Sequence, residues 1–243
     1  MVTKYYHSAL LTKEGRLFCK KLAKRLEICH NGNKIWATVL WRGSDLKGDF
    51  QMKLLEQRIL EEGQVRPGNV LKVDCFLNHQ LDVELLDQIG EEFYRIFKED
   101  GVNKILTIEA SGIAIACMTA RHFHLPVVFA KKAKSKNIDG DVFTSKVHSY
   151  TYGREYDITL AKKFLAPGDR VLILDDFLAN GKAMKGLLDI CRQAGASVAG
   201  IGICIEKGFQ PGGAELRAAG YKLASLAIVD SMSDSGLTFR EEG

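Results

Sequence analysis

From Met52 onward, short unbroken apolar runs alternate with longer stretches in which apolar positions recur every three or four residues. The first pattern predicts strands buried on both faces and the second predicts amphipathic helices. "MKLLEQRILEEG" places Leu54, Leu55, Ile59 and Leu60 at helical spacing and stops at Gly63. "VLKVDCFLNHQ" (70–80) is a short apolar stretch that runs into a polar cluster. "DVELLDQIGEEFYRIFKEDG" (82–101) reads as an amphipathic helix, with Asp82 as N-cap and Gly101 as C-cap. A strand over 103–112, a helix over 113–125 and a strand over 126–135 come next. Residues 142–160 alternate as a β-hairpin does, with Tyr150 and Tyr152 near the tip. A strand at 170–176, a helix at 181–196, a strand at 197–208, a helix at 212–219 and the strand "YKLASLAIV" complete the chain. This alternation predicts an α/β fold: a parallel central sheet flanked by helices, with ligands bound at the carboxyl ends of the strands where the crossover direction reverses.

Composition narrows the class. With 243 residues, 46% of them hydrophobic, the chain can bury one sizeable core. Its net charge of +4 divides unevenly. Residues 1–51 hold ten Lys/Arg against four Asp/Glu, whereas the remainder holds 24 against 26, so the basicity belongs to the N-terminal arm. The six cysteines fall into no paired zinc-ligand spacing and read as small hydrophobes or free thiols of a reducing cytosol. No apolar run approaches the length of a bilayer span, and we expect a cytoplasmic protein.

The chemistry concentrates in "VLILDDFLANGKA" (171–183). Two adjacent carboxylates, Asp175 and Asp176, end an apolar strand where the architecture places a site. The loop Ala179-Asn180-Gly181-Lys182-Ala183 lacks bulky side chains, so its amides can approach an anion, and the following helix adds its positive end. The carboxylates can accept hydrogen bonds from vicinal hydroxyls or help hold Mg²⁺. Together these features suggest a sugar phosphate. A solvated turn at a strand end is the bland alternative. Walker A fails because position 176 is Asp, and the dinucleotide fingerprint fails because position 205 is Ile.

The same stretch resembles the phosphoribosyl-pyrophosphate (PRPP) signature of the type I phosphoribosyltransferases. "LKVDCFLNHQLD", "TIEASGIA", "PVVFAKKAKS" and "GIGICIEKGFQPG" are similar to the xanthine branch of that family, and the resemblance runs from about Met52 to the C-terminus. The loop departs from the many members that use threonine hydroxyls on the 5′-phosphate; the xanthine branch shares this Ala-Asn-Gly sequence. The resemblance implies the type I fold with a small base-binding hood and a flexible hairpin lid. It also implies transfer of phosphoribose from PRPP to a purine nitrogen, with inversion at the anomeric carbon and release of pyrophosphate.

Its implied roles fall on particular residues. Asp175 and Asp176 hold the ribose hydroxyls, and Ala179, Asn180, Gly181, Lys182 and Ala183 wrap the 5′-phosphate. Ala110, Ser111 and Gly112 form a pyrophosphate loop, with a strained or cis peptide, and Lys131 reaches the same group. An ordinary strand-to-helix turn is the alternative there, and most of Lys131, Lys132, Lys134 and Lys136 read as a solvated basic face. Leu71, Asn78 and Lys207 contact xanthine, with Asn78 as the donor that selects its extra carbonyl. Tyr150 and Tyr152 close the lid; two tyrosines on an exposed hairpin is the plainer reading. Mg²⁺ accompanies PRPP, with no direct protein ligand expected, and a homodimer is implied.

His122, His124 and His79 read as structural, and Phe209 as core. The arm, 1–51, lies outside the resemblance, and we expect Met52 to be the natural start and the arm to be poorly ordered or non-native. A rival reading joins a basic DNA-binding arm to a PRPP-sensing domain, as in purine repressors. Hypoxanthine–guanine or adenine transfer is a third.

Overall fold

Successive residues from Val171 to Leu174 meet different cores. Val171 and Ile173 belong to one buried cluster, Leu172 and Leu174 to another, and all four are fully buried. A strand with apolar side chains on both pleats must be covered on both faces. The computed structural model describes residues 23–30, 33–40, 46–132, 140–148, 155–233 and 236–240. It divides into two units, 1–49 and 50–243. In the first, β1 (Ala23–His30) and β2 (Asn33–Leu40) pair as an antiparallel hairpin.

Helix α1 (Leu46–Glu62) opens upstream of the expected Met52. It buries Leu55 and Ile59 but leaves Leu60 62% exposed, so the predicted stripe is narrower than its apolar residues suggested. A short hairpin, β3 (Gln64–Arg66) and β4 (Val70–Lys72), leads into a π-helical turn at Asp74–Asn78. Helix α2 (Val83–Phe97) is capped by Asp82, whose carboxylate accepts from the Leu85 amide at 3.1 Å. Its C-cap is Lys98 rather than Gly101; Gly101 serves the turn beyond, at φ 66°.

The main sheet then builds outward from its middle. Its strands are β5 (Lys104–Ile108), β6 (Val127–Ala130), β9 (Arg170–Leu178), β10 (Ser197–Lys207), β11 (Leu223–Ser233) and β12 (Gly236–Phe239). The order is β12-β11-β10-β9-β5-β6, parallel except for β12, an antiparallel edge that the sequence reading did not foresee. Helices α3 (Ser111–Phe123), α4 (Lys182–Ala194) and α5 (Pro211–Ala218) make the crossovers. The hairpin β7 (Val142–His148) and β8 (Glu155–Ala161) buries Val147, Ile158 and Leu160 in the same core as α4.

The connection β5-α3-β6 departs one way from the sheet centre and β9-α4-β10 the other. Strands β5 and β9 pair only as far as Leu106 and Ile173. Beyond that they part, which makes the crevice that such topologies offer to ligands. Among the described residues, no helix is long and apolar enough to cross a membrane.

Candidate functional site

Asp175 and Asp176 stand on β9 just past that parting, 7% and 8% exposed. Because successive side chains of a strand point to opposite faces, the adjacent acids serve different neighbourhoods. Asp176 Oδ2 accepts from Asn78 Nδ2 at 3.0 Å, on the side of the π-helical turn. Asp175 feels Tyr156 of β8 and the Lys132 ammonium on the other side. Each carboxylate also accepts the next backbone amide, Asp176 N on Asp175 and Phe177 N on Asp176, both at 3.0 Å. Burial pushes the Asp175 carboxyl well above the usual carboxylate range, and the Asp176 charge pushes further. Two buried like charges stabilise nothing by themselves; such a pair is the mark of a site.

The loop after the acids is set by close packing. Gly181 takes φ 75° and caps α4. Its neighbour across the turn is Gly212, whose amide donates to Ala179 O at 3.1 Å. A Cβ on Gly212 would lie 2.4 Å from that carbonyl and 2.7 Å from Gly181 N, a separation no side chain tolerates. Asn180 Oδ1 accepts from the Lys182 amide at 3.2 Å. Ala179 to Ala183 thus form a tight turn delivering backbone amides to the N-terminus of a thirteen-residue helix.

The second loop follows β5. The Glu109–Ala110 peptide is cis, and α3 starts at Ser111 with Ala110 offering its first amides no side-chain cap. Gly112 approaches the acids directly: a Cβ there would meet Asp175 Oδ1 at 3.2 Å and would collide with Thr107 Oγ1. Lys131 bridges to Thr159 of β8 through its backbone at 2.9 and 2.8 Å, tying the strand end to the hairpin. The Lys132 amide donates to Glu109 Oε1 at 2.5 Å. Lys132, read from sequence as one of a solvated basic run, is the lysine whose charge bears on Asp175.

The third part joins the β3–β4 turn, which leads into the expected hood at 71–80, to the end of β10. Lys207 Nζ donates to Asn69 O at 2.7 Å and lies 5.7 Å from the Phe177 ring centroid. Burial lowers its pKa from the usual lysine value. Leu71, on β4, is buried in the core beneath the hood. Tyr150, Tyr152, Lys134 and Lys136 lie outside the described residues. Phe209, expected in the core, is 39% exposed on the turn after Lys207. His122 is held by Asp87 at 3.1 Å, and His124 ends α3 in the left-handed conformation at φ 56°. Sequence reasoning missed Lys132, Tyr156 and the ion pair Glu206–Arg217. The signal for the last was a glutamate inside an otherwise apolar strand.

With its sheet parting at the centre, paired acids on the central strand and small-residue loops after β5 and β9, the chain is a transferase of the phosphoribosyl group. The chain belongs to the phosphoribosyl transferase domain family, whose model matches residues 80–213. It is similar to the xanthine phosphoribosyltransferase of Lachnoclostridium phytofermentans, 59% identical over 191 residues, covering 78% of this chain and 98% of that one. The xanthine phosphoribosyltransferase of Bifidobacterium longum is 58% identical over 192 residues, covering 78% of this chain and all of its own. Among solved structures, the adenine phosphoribosyl transferase of Trypanosoma brucei superposes with a TM-score of 0.63 at 18% identity, over 88% of this chain and 90% of that one. At that identity the likeness is one of fold.

Proposed function

We propose that residues 52–243 transfer the 5-phosphoribosyl group of PRPP to xanthine, giving xanthosine 5′-monophosphate and pyrophosphate in purine salvage. The observation that carries this is the 59% identity to a xanthine phosphoribosyltransferase over nearly its whole length. The acid pair and both loops lie within 80–213, the residues that the family model matches. The relatives leave uncovered a stretch about as long as the arm, which supports placing the enzyme in 52–243.

Cleavage of the bond to pyrophosphate leaves positive charge on the ribose, so positioning and electrostatics carry the reaction. Asp175 and Asp176 accept from the ribose hydroxyls. Being buried, they hold the sugar against little competition from water. Amides of Ala179 to Ala183 take the 5′-phosphate, while Ala110, Ser111, Gly112 and Lys131 take the diphosphate, with Lys132 adding charge. The base sits between the hood and Lys207, with Asn78 and Lys207 donating to its carbonyls above Leu71. Tyr150 and Tyr152 form the lid.

Phosphoribosyltransferases generally use Mg²⁺ with PRPP. Among the described residues, no cluster of three or more His, Cys, Asp and Glu side chains could hold a metal ion. The acid pair fits an ion that arrives on the substrate, since Mg²⁺ keeps most of its shell as water and phosphate oxygen. When bound, it neutralises the departing diphosphate. We propose a cytoplasmic homodimer.

The test is a panel of xanthine, guanine, hypoxanthine and adenine at fixed PRPP and Mg²⁺. Xanthine should give the highest kcat/KM. Preference for another purine would replace xanthine in this reading, and no turnover of any base would remove the transferase.

A further inference from the structure

We infer that Glu206 and Arg217 are positioning residues for the 5′-phosphate loop, acting through the first turn of α5; this rests on the phosphoribosyl-transfer reading. Glu206, at the carboxyl end of β10, is 2% exposed. Arg217, near the end of α5, forks onto both its oxygens at 2.7 Å each, and Ser225 Oγ of β11 donates to Oε2 at 2.5 Å. Burial alone would raise the Glu206 pKa, but these bonds hold it below the usual value, so the group is a carboxylate. A buried ion pair is seldom the most stabilising choice for a core, because apolar residues of similar volume serve as well or better. What it supplies is a fixed geometry.

That geometry passes to the loop by contact. A Cβ on Gly213 would collide with Glu206 Oε1, so the backbone of α5 rests on the carboxylate. One residue earlier, the Gly212 amide holds Ala179 O at 3.1 Å. A trans peptide sets its C=O and the following N–H in opposite directions. With the Ala179 carbonyl turned to α5, the Asn180 N–H is turned away from it. The clamp on Glu206 therefore decides where α5 lies, and α5 decides which way an anion-binding amide faces. Nothing in this chain of contacts reaches the pyrophosphate loop, which follows a different strand.

The experiment compares two ligands on the full-length protein by calorimetry: ribose 5-phosphate, which needs the loop, and pyrophosphate, which does not. The double variant Glu206→Gln/Arg217→Met removes the clamp without leaving a buried charge. It should bind ribose 5-phosphate about tenfold more weakly, with pyrophosphate affinity within about twofold of the parent and cooperative thermal unfolding retained. Unchanged ribose 5-phosphate affinity, or equal weakening of both ligands, would overturn the inference. Should the double variant not fold, Ser225→Ala, which deletes a single bond to Glu206, decides by the same ratio. If the parent protein binds pyrophosphate but not ribose 5-phosphate, the loop assignment itself fails, and that outcome is visible before any variant is made.

Discussion

Asn78 and Asp176, 98 positions apart in the chain, are joined by a 3.0 Å hydrogen bond from the amide to the carboxylate. The bond ties the hood to the central strand and engages the donor proposed for the base. On the proposed reading, an Asp176 carboxylate engaged by a ribose would free the Asn78 amide for the purine.

Asn78→Ala should therefore weaken xanthine more than guanine. An unpaired polar group on a buried base costs ~1–3 kcal/mol, and guanine lacks the second carbonyl that this donor meets. Steady-state kinetics with both bases at saturating PRPP reads the difference. Equal losses would take Asn78 out of base selection.

Asp175→Asn should abolish function and strengthen the fold. Burial and the Asp176 charge raise the Asp175 pKa in the folded protein. The stability gained from its proton is complete below the unfolded carboxyl range and is lost as pH rises through the folded-state value. The amide carries no charge and escapes that loss. At pH 8 the melting temperature of the variant should exceed the parent's, by a margin that widens as pH rises from 4 to 8. Nucleotide synthesis should fall by at least about a hundredfold. A melting difference that does not grow between pH 4 and pH 8 would contradict the assigned direction.

That acid pair was legible in the sequence because two carboxylates closing an apolar run have no folding rationale. The alternating cores of β9 were legible for the same reason: period and polarity are local properties. The Asn78–Asp176 bond, the bearing of Lys132 on Asp175 and the fork of Arg217 on Glu206 were not. Each depends on which strands become neighbours, and no spacing along the chain encodes that. Edge strand β12 was missed because four residues, two exposed and two half-buried, carry little pattern. Gly101 was misplaced because a glycine four residues past a helix looks the same in sequence as one that caps it.

Gly112→Ala should destabilise the protein by ~1–3 kcal/mol through overpacking against Thr107. It should also raise KM for PRPP more than KM for xanthine, because the added methyl lies beside Asp175 Oδ1. Adding Thr107→Ala removes the nearest obstacle, a buried hydroxyl with no hydrogen-bond partner among the described residues. The pair should regain most of the lost stability in urea unfolding. Additive costs would mean that the two positions do not touch.

A chain beginning at Met52 should turn over xanthine at the rate of the full-length protein within about twofold, since Leu55 is the first core residue among those whose burial is described. The full-length protein should show no salt-dependent DNA binding in fluorescence anisotropy. Binding that vanished with residues 1–51 would restore the repressor reading.

The parting of β5 from β9 comes from strand connectivity and from no single side chain. Mutation can silence the reaction without erasing the groove, so a descendant that had lost its aspartates would inherit a folded receptor looking for new work.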